Sequence, residues 1–335
     1  MNIDDRINSF HQLGLKLKSL DEDQLEELHW RAQNSNPWFT NENINSALTG
    51  ITKFLEKDTL YNWVRNYELP NTSKTVGTVM AGNIPLVGFH DLLCVLLSGH
   101  KLMIKLSSQD NILMSFIIDS LIEINPDYEN RIIKVDQLKG MDAIIATGSD
   151  NSARYFEYYF SKYPHIIRKN RTSCAILNGN ETETDLENLG VDIFQYFGLG
   201  CRNISKLFVP KGYDFTTFFK SIESFSEIRN HHKYNNNYEY NKSIYLINKE
   251  DHLDNGFLLI RKSDSLVSPI SVLFFEEYNA EDELKNLLDQ NIEKIQCIVS
   301  KECWWPSSFN FGQAQAPGVA DYADHVDTME FLCNL

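Results

Sequence analysis

Two textures of apolar and polar positions follow one another along the chain. From residue 1 to about 70 the apolar positions recur at helical spacing. This predicts a partly amphipathic helical segment, with Trp30, Trp38 and Trp63 as anchors and the acidic stretch 21–27 as a solvated helix face. From residue 75 short β-branched runs alternate with helical patterns. Strands are expected at 75–80, 101–106, 131–135, 142–146, 164–168 and 174–177. Helices are expected from Pro85 to Ser98, at 110–124 and at 151–160. Pro85 suits a first helical turn, Gly99 a helix end, and Asn125-Pro126 a stop. Such alternation predicts a parallel, doubly wound α/β sheet.

A helix at 184–197 then leads into Gly198-Leu199-Gly200-Cys201. Strands follow near 206–209, 243–247, 270–275 and 294–299, with a helix at 281–291, so the second lobe is also α/β. The Asn-rich stretch 230–241 reads as a polar loop. The expected organisation is a helical segment over 1–70, a Rossmann-like cofactor domain over 71–178 and a catalytic domain over 179–305. Residues 306–335, aromatic and punctuated by Gly and Pro, form a tail that packs back on the fold or on a partner subunit.

Composition narrows the classes. The 335 residues suffice for two lobes, because single cores stop growing near ~250–300 residues. With 42% apolar and 23% charged residues the chain has globular balance. A net charge of -15 disfavours nucleic-acid or anionic-membrane partners, although a local basic pocket can still take an anionic ligand. The six cysteines form no CxxC pair and no metal-ligand spacing with His, so no metal is expected and a reducing cytoplasm is. The N-terminus lacks a signal-peptide pattern, and the longest apolar stretch, around 84–97, holds His90 and Asp91 and is too short to span a bilayer.

Four places carry candidate chemistry. Cys201 is flanked by glycines and followed by Arg202, an open position where a cation stabilises the nucleophilic thiolate. The bland alternative is an inert loop cysteine. Asn83, after a strand, can donate its amide to a developing oxyanion, but spacing alone favours a turn Asn that bonds its own backbone. Lys105, Ser107 and Ser108 end the second strand, where a dinucleotide domain holds a ribose, and the usual acidic residue is absent. Gly148 and Ser149 lie between a strand and a helix N-terminus, a natural phosphate position. His90 reads as a packed or capping residue, and His231-His232 as part of the solvated loop. Arg168, Lys169 and Arg171 read as solvated strand-end charge, with CoA or 2′-phosphate binding as the alternative. Trp304-Trp305 anchors the tail.

In order and spacing these pieces resemble the aldehyde dehydrogenase superfamily over about residues 70–335. Gly82-Asn83-Ile84-Pro85-Leu86 resembles its Trp-Asn-Phe-Pro-Leu segment. The run from Ile104 to Ser108 resembles Val-Lys-Pro-Ser-Glu, that from Ala146 to Ser149 resembles Phe-Thr-Gly-Ser, and the run from Ser268 to Val272 resembles the Gly-Pro-Val segment. The segment 80–98 and the ending, with Phe311-Gly312-Gln313-Ala314-Gln315 and Asp321-Tyr322-Ala323-Asp324, are more similar to one branch. That branch is the acyl-CoA reductase family, which includes the long-chain fatty acid reductase of bacterial bioluminescence. The resemblance implies an aldehyde-dehydrogenase-like fold and a Cys201 thioester formed from an acyl-CoA or acyl-carrier thioester. Asn83 and the Cys201 N–H would form the oxyanion hole. Lys105, Ser107 and Ser108 would hold the ribose, and Gly148 and Ser149 the pyrophosphate. NADPH is the expected cofactor, with NADH as the alternative, and a homo-oligomer is a candidate assembly.

There are departures from the superfamily pattern. The Glu-Leu-Gly-Gly-Lys stretch, whose Glu activates water in oxidising members, is matched by 168–172, which carries no carboxylate. Without that base a thioester persists until hydride or a second thiol arrives, which favours acyl-CoA reduction over aldehyde oxidation. The Glu before Gly-Pro-Val is matched by Ser265, and the N-terminus is shorter than in the bioluminescence reductases. The rivals are therefore an oxidative aldehyde dehydrogenase and a non-catalytic acyl-binding subunit of the same fold.

Overall fold

Five parallel strands frame the first unit: β1 (Thr75–Val79), β2 (Lys101–Lys105), β3 (Ile132–Lys134), β4 (Ala143–Thr147) and β5 (His165–Arg168). Their spatial order is β3-β2-β1-β4-β5. The chain leaves β1 to one side and returns to the other at β4, so the topological switch lies between β1 and β4. β4 is Ala-Ile-Ile-Ala-Thr and buried almost throughout, as a sheet covered on both faces requires.

Helices α1 (Ile3–Lys18), α2 (Glu22–Ser35), α3 (Asn41–Phe54), α4 (Lys57–Val64), α5 (Phe89–Ser98), α6 (Asn111–Ile124) and α7 (Asp150–Phe160) complete this part of the chain. Asn2 and Asp21 close capping boxes with Asp5 and Gln24 at the starts of α1 and α2. Phe10, Leu13, Leu92, Val95, Ile104, Ile117 and Ile118 belong to one core that the N-terminal helices share with the sheet. The structure, a computed structural model, describes all residues, 1–335, and divides them into Met1–Asn170 with Pro317–Leu335, and Arg171–Ala316.

The second unit holds β6 (Thr172–Ile176), β7 (Ile204–Pro210), β8 (Leu253–Asp254), β9 (Leu259–Lys262), β10 (Val272–Tyr278) and β11 (Ile295–Ser300). The order is β11-β6-β7-β10-β9-β8, parallel except for the β8–β9 edge pair. Its helices are α8 (Glu183–Phe194), α9 (Thr216–Ser221), α10 (His232–Asn248) and α11 (Glu281–Asp289). The last helix, α12 (Thr328–Cys333), belongs to the first unit and packs on α5. There Trp63 Nε1 donates to Tyr322 Oη at 2.9 Å, and His90 and His100 donate to the carbonyls of Val319 and Leu332 at 2.8 and 2.9 Å. β6 pairs with β7 and β11, which sets the unit boundary at 170/171, ahead of the expected 178/179.

Several expectations are corrected. The stretch 230–241 is not a loop and 243–247 is not a strand; both lie in α10. Tyr234, Tyr238, Asn241 and Tyr245 recur at helical spacing and are buried, while Asn237 and Asn241 donate to carbonyls four residues back. His231 caps this helix, and its ring lies 4.2 Å from that of Phe197, so it is not a solvated loop residue. The helix expected from Pro85 begins only at Phe89, because Leu86 takes φ 58. Trp30 is no anchor: it is 68% exposed on α2.

Arg168 is also not solvated. It is 5% exposed, and its Nη1 donates to both oxygens of Asp91 on α5 at 2.8 and 2.7 Å. Nη2 donates to Thr328 on α12 at 2.9 Å. Desolvating such a pair is costly, and removing one partner strands the other. Asp91→Ala should therefore destabilise the protein by ~3–5 kcal/mol. Joint replacement, Asp91→Leu with Arg168→Met, should recover most of that loss. Chemical unfolding midpoints of the two variants test this, and equal losses in both would contradict it.

Candidate active site

In the first unit the expected cofactor residues gather at one edge. Asn83 follows β1, Lys105, Ser107 and Ser108 end or follow β2, and Gly148 and Ser149 follow β4. All stand at carboxyl ends of parallel strands, and the loops after β1 and β4 flank the switch point, where α/β sheets bind ligands. Ser149 is the N-cap of α7, and its Oγ accepts the Ser152 N–H at 3.3 Å. A Cβ on Gly148 would lie 2.8 Å from Ser152 Cβ and 2.9 Å from the Phe156 ring, so only glycine lets this turn lie flat against α7. Lys105 and Ser108 are exposed at the end of β2. A helix N-terminus, backbone at glycine and an exposed ammonium suit an anionic dinucleotide.

The loops after β1 and β2 interlock. A Cβ on Gly82 would meet Ser107 Oγ at 2.5 Å. Ser107 Oγ also accepts the Gln109 N–H at 3.2 Å, so this hydroxyl is partly committed to its own turn.

Cys201 belongs to the second unit, in the turn that enters β7 at its amino end. Three successive residues before it, Tyr196, Phe197 and Gly198, take φ values of 54°, 57° and 78°. Left-handed backbone is costly for tyrosine and phenylalanine, and such strain persists only where neighbours over-determine it. Asn203, 2% exposed, is one such neighbour. Its Nδ2 donates to the carbonyls of Asp192, Ile193 and Gln195 at 3.2, 3.4 and 2.6 Å, and its Oδ1 accepts the Gly200 N–H at 2.8 Å. One side chain thus joins the end of α8 to the turn.

Ser173, fully buried on β6, is the second brace. Its Oγ donates to the Cys201 carbonyl at 3.0 Å and accepts the Cys297 N–H at 3.1 Å. The β6–β7 ladder shifts register between Ser173 and Cys174, and the β11–β6 ladder shifts between Ile295 and Ile298. Such bulges re-aim side chains next to reactive groups. Arg202 Nη1 donates to the Ala314 carbonyl at 3.4 Å, and the guanidinium lies 5.7 Å from the Phe309 ring centroid.

Burial separates the six thiols. Cys94, Cys174 and Cys297 are buried, and burial pushes each up, Cys297 to about 11. Cys333, on α12, is also pushed up by burial. Cys303 is exposed, and Cys201 is half-buried.

Three supporting residues were not anticipated: Asn203, Ser173 and Asp192. Asp192 is fully buried and accepts the N–H groups of Gly312 and Ala314 at 2.7 and 3.0 Å, tying the segment 312–314 to α8. Leu186, Leu189 and Ile193 form the buried face of α8, and Asp192 falls on that face at helical spacing. That polar residue on an apolar face was a legible signal.

A family model described as acyl-CoA reductase (LuxC) matches residues 16–219. Solved structures of similar fold include the aldehyde dehydrogenase of Bartonella henselae, 12% identical with a TM-score of 0.64, covering 90% of this chain and 75% of that one. A Mycobacterium tuberculosis aldehyde dehydrogenase complexed with NAD+ is 12% identical with a TM-score of 0.64, covering 90% and 73%. A Bacillus cereus aldehyde dehydrogenase in an NAD+ complex is 13% identical with a TM-score of 0.61, covering 90% and 72%. No curated protein matches. The fold is that of the aldehyde dehydrogenases. Within it, the match across more than half its length shows that the chain belongs to the acyl-CoA reductase (LuxC) family.

Asp192 also gives the second unit a pH response. Burial pushes its carboxyl up to about 7, well above an unfolded carboxyl near ~4. Between those values the folded state holds an extra proton, so stability is fullest below pH ~4 and falls as pH rises toward 7. The slope from this group should approach about 1.4 kcal/mol per pH unit. Asp192→Asn should flatten it. Unfolding midpoints between pH 5 and 8 measure this, and an unchanged slope in the variant would count against the assignment.

Proposed function

We propose that this protein reduces an acyl-CoA to the aldehyde through a thioester on Cys201, with NADPH preferred. The observation that carries this reading is the Cys201 turn. It is strained over Tyr196–Gly198 and held by the buried side chains of Asn203 and Ser173, while the cysteine itself stays half-exposed. Strained backbone clusters at active sites, which supports a reactive role for this thiol.

In the proposed reaction the Cys201 thiolate attacks the acyl carbonyl and the CoA thiolate leaves, so one thioester replaces another. Asn83 keeps the role that the family resemblance implies, donating to the oxygen as charge develops. Lys105, Ser107, Ser108, Gly148 and Ser149 are the residues proposed to hold the dinucleotide. When bound, that cofactor supplies the hydride that releases the acyl group as an aldehyde.

The stretch matched to the water-activating Glu begins with Arg168, whose guanidinium is committed to Asp91 and Thr328. No carboxylate there activates water, which favours reduction over oxidative hydrolysis. Intact-mass analysis after mixing with a panel of straight-chain acyl-CoAs should show an acyl adduct on the wild type. Cys201→Ala should show none and should lose at least ~10³-fold in turnover. Near-normal turnover in the variant would overturn the reading.

Two of the similar structures hold NAD+. The preference for NADPH here rests on Ser108, an exposed neutral donor near Lys105 where dinucleotide sites that select NAD place a carboxylate. Ser108→Glu should lower kcat/KM for NADPH relative to NADH by ~10–100-fold, the worth of one or two charge-assisted hydrogen bonds. Equal losses with both cofactors would show that Ser108 does not face the ribose phosphate.

A further inference from the structure

Asp110 occupies the N-cap position of α6 yet makes no side-chain hydrogen bond to that helix. Its Oδ2 instead accepts the N–H of Leu86 at 2.7 Å, in the loop between β1 and α5. Asp110 is 2% exposed, and its Oδ1 has no hydrogen-bond partner. A buried carboxyl with one oxygen unpaired and no cation beside it costs folding stability. Burial pushes it up to about 8. Helix capping does not explain an Asp here, since its side chain bonds the loop and not α6.

What Asp110 grips is the Asn83 loop. Leu86, three residues beyond Asn83, takes φ 58, a conformation that leucine adopts at a cost. Before Asn83, Gly82 presses so close that a Cβ would lie 2.5 Å from Ser107 Oγ and 3.1 Å from the Asp110 nitrogen. The segment 82–86 is therefore pinned at both ends by the turn 107–110, the same turn that carries Ser107 and Ser108.

We infer that Asp110 is a positioning residue: through the Leu86 N–H it holds the loop 82–86 in its strained form and so sets where Asn83 presents its amide. This rests on the reading of Asn83 as an oxyanion donor. Asp110 touches no reacting atom. It acts through the loop, and it ties the geometry of that loop to the turn proposed to hold the cofactor ribose.

Hydrogen exchange of the full-length protein, with single-turnover acylation of Cys201 by a straight-chain acyl-CoA, tests the inference. Asp110→Ser is too short to reach Leu86, and it removes no cap from α6 because Asp110 makes no side-chain bond to that helix. It should raise exchange in peptides covering 80–88 by about tenfold while peptides from 111–124 stay at the wild-type level. Asp110→Asn retains an acceptor oxygen and should stay close to wild type. The Ser variant should also slow acylation by about tenfold, and adding it to Asn83→Ala should cause no further loss, as expected if it acts through Asn83.

Unchanged exchange over 80–88 would overturn the inference, as would a uniform rise in exchange across the first unit with a lowered Tm. Additive losses in the double variant would overturn it too. A wild type that forms no adduct would overturn the thioester reading instead, and the exchange comparison would then decide the role of Asp110 alone.

Discussion

The buried guanidinium of Arg168 is the interaction around which the first unit closes. It gathers Asp91 from α5, Thr328 from α12 and the Thr147 hydroxyl at the end of β4, while the Arg168 backbone carbonyl accepts the N–H of Gly148 at 3.3 Å. A helix on the sheet, the end of β4 and the last helix of the chain thus meet at one cation. The carboxylate and hydroxyl replace water at Nη1 and Nη2, which offsets the cost of burying the cation, while Nε stays buried without a hydrogen-bond partner. The placement of the Gly148-Ser149 turn follows from it, because that turn begins where β5 delivers Arg168.

The second unit uses neutral polar groups for the same purpose. Asn203 and Ser173 have no net charge, and Asp192 is pushed toward its neutral form. Each satisfies backbone groups that α8, the Cys201 turn and the segment 312–314 would otherwise leave unpaired inside the unit. Such bonds are directional and short-ranged, which suits holding a strained turn in one shape.

Much of the fold was legible because strands buried on both faces read as apolar runs, and because Gly99 and Asn125-Pro126 mark helix ends by backbone chemistry alone. The strand-end positions of Lys105, Ser107, Ser108, Gly148 and Ser149 followed from that alternation. α10 was hidden because its buried face is made of tyrosines set among asparagines, which locally read as loop. Arg168 and Asp110 were misread or passed over for another reason. Their partners lie 77 and 24 residues away, and only the folded chain shows that a charge at a strand end points inward. The left-handed run at Tyr196 and Phe197 was equally invisible, since nothing in those residue types favours it.

The first unit is interrupted in sequence: its segment Pro317–Leu335 follows the whole of Arg171–Ala316. Met329 and Leu332 are fully buried in the core that α1, α5 and α6 build, and Tyr322 joins Trp63 there. During synthesis the ribosome therefore finishes all of the second unit before it releases the residues that close the first. The residues of the Cys201 turn are made while the first core still lacks α12, so the N-terminal helices keep apolar surface uncovered until residues 317–335 are made.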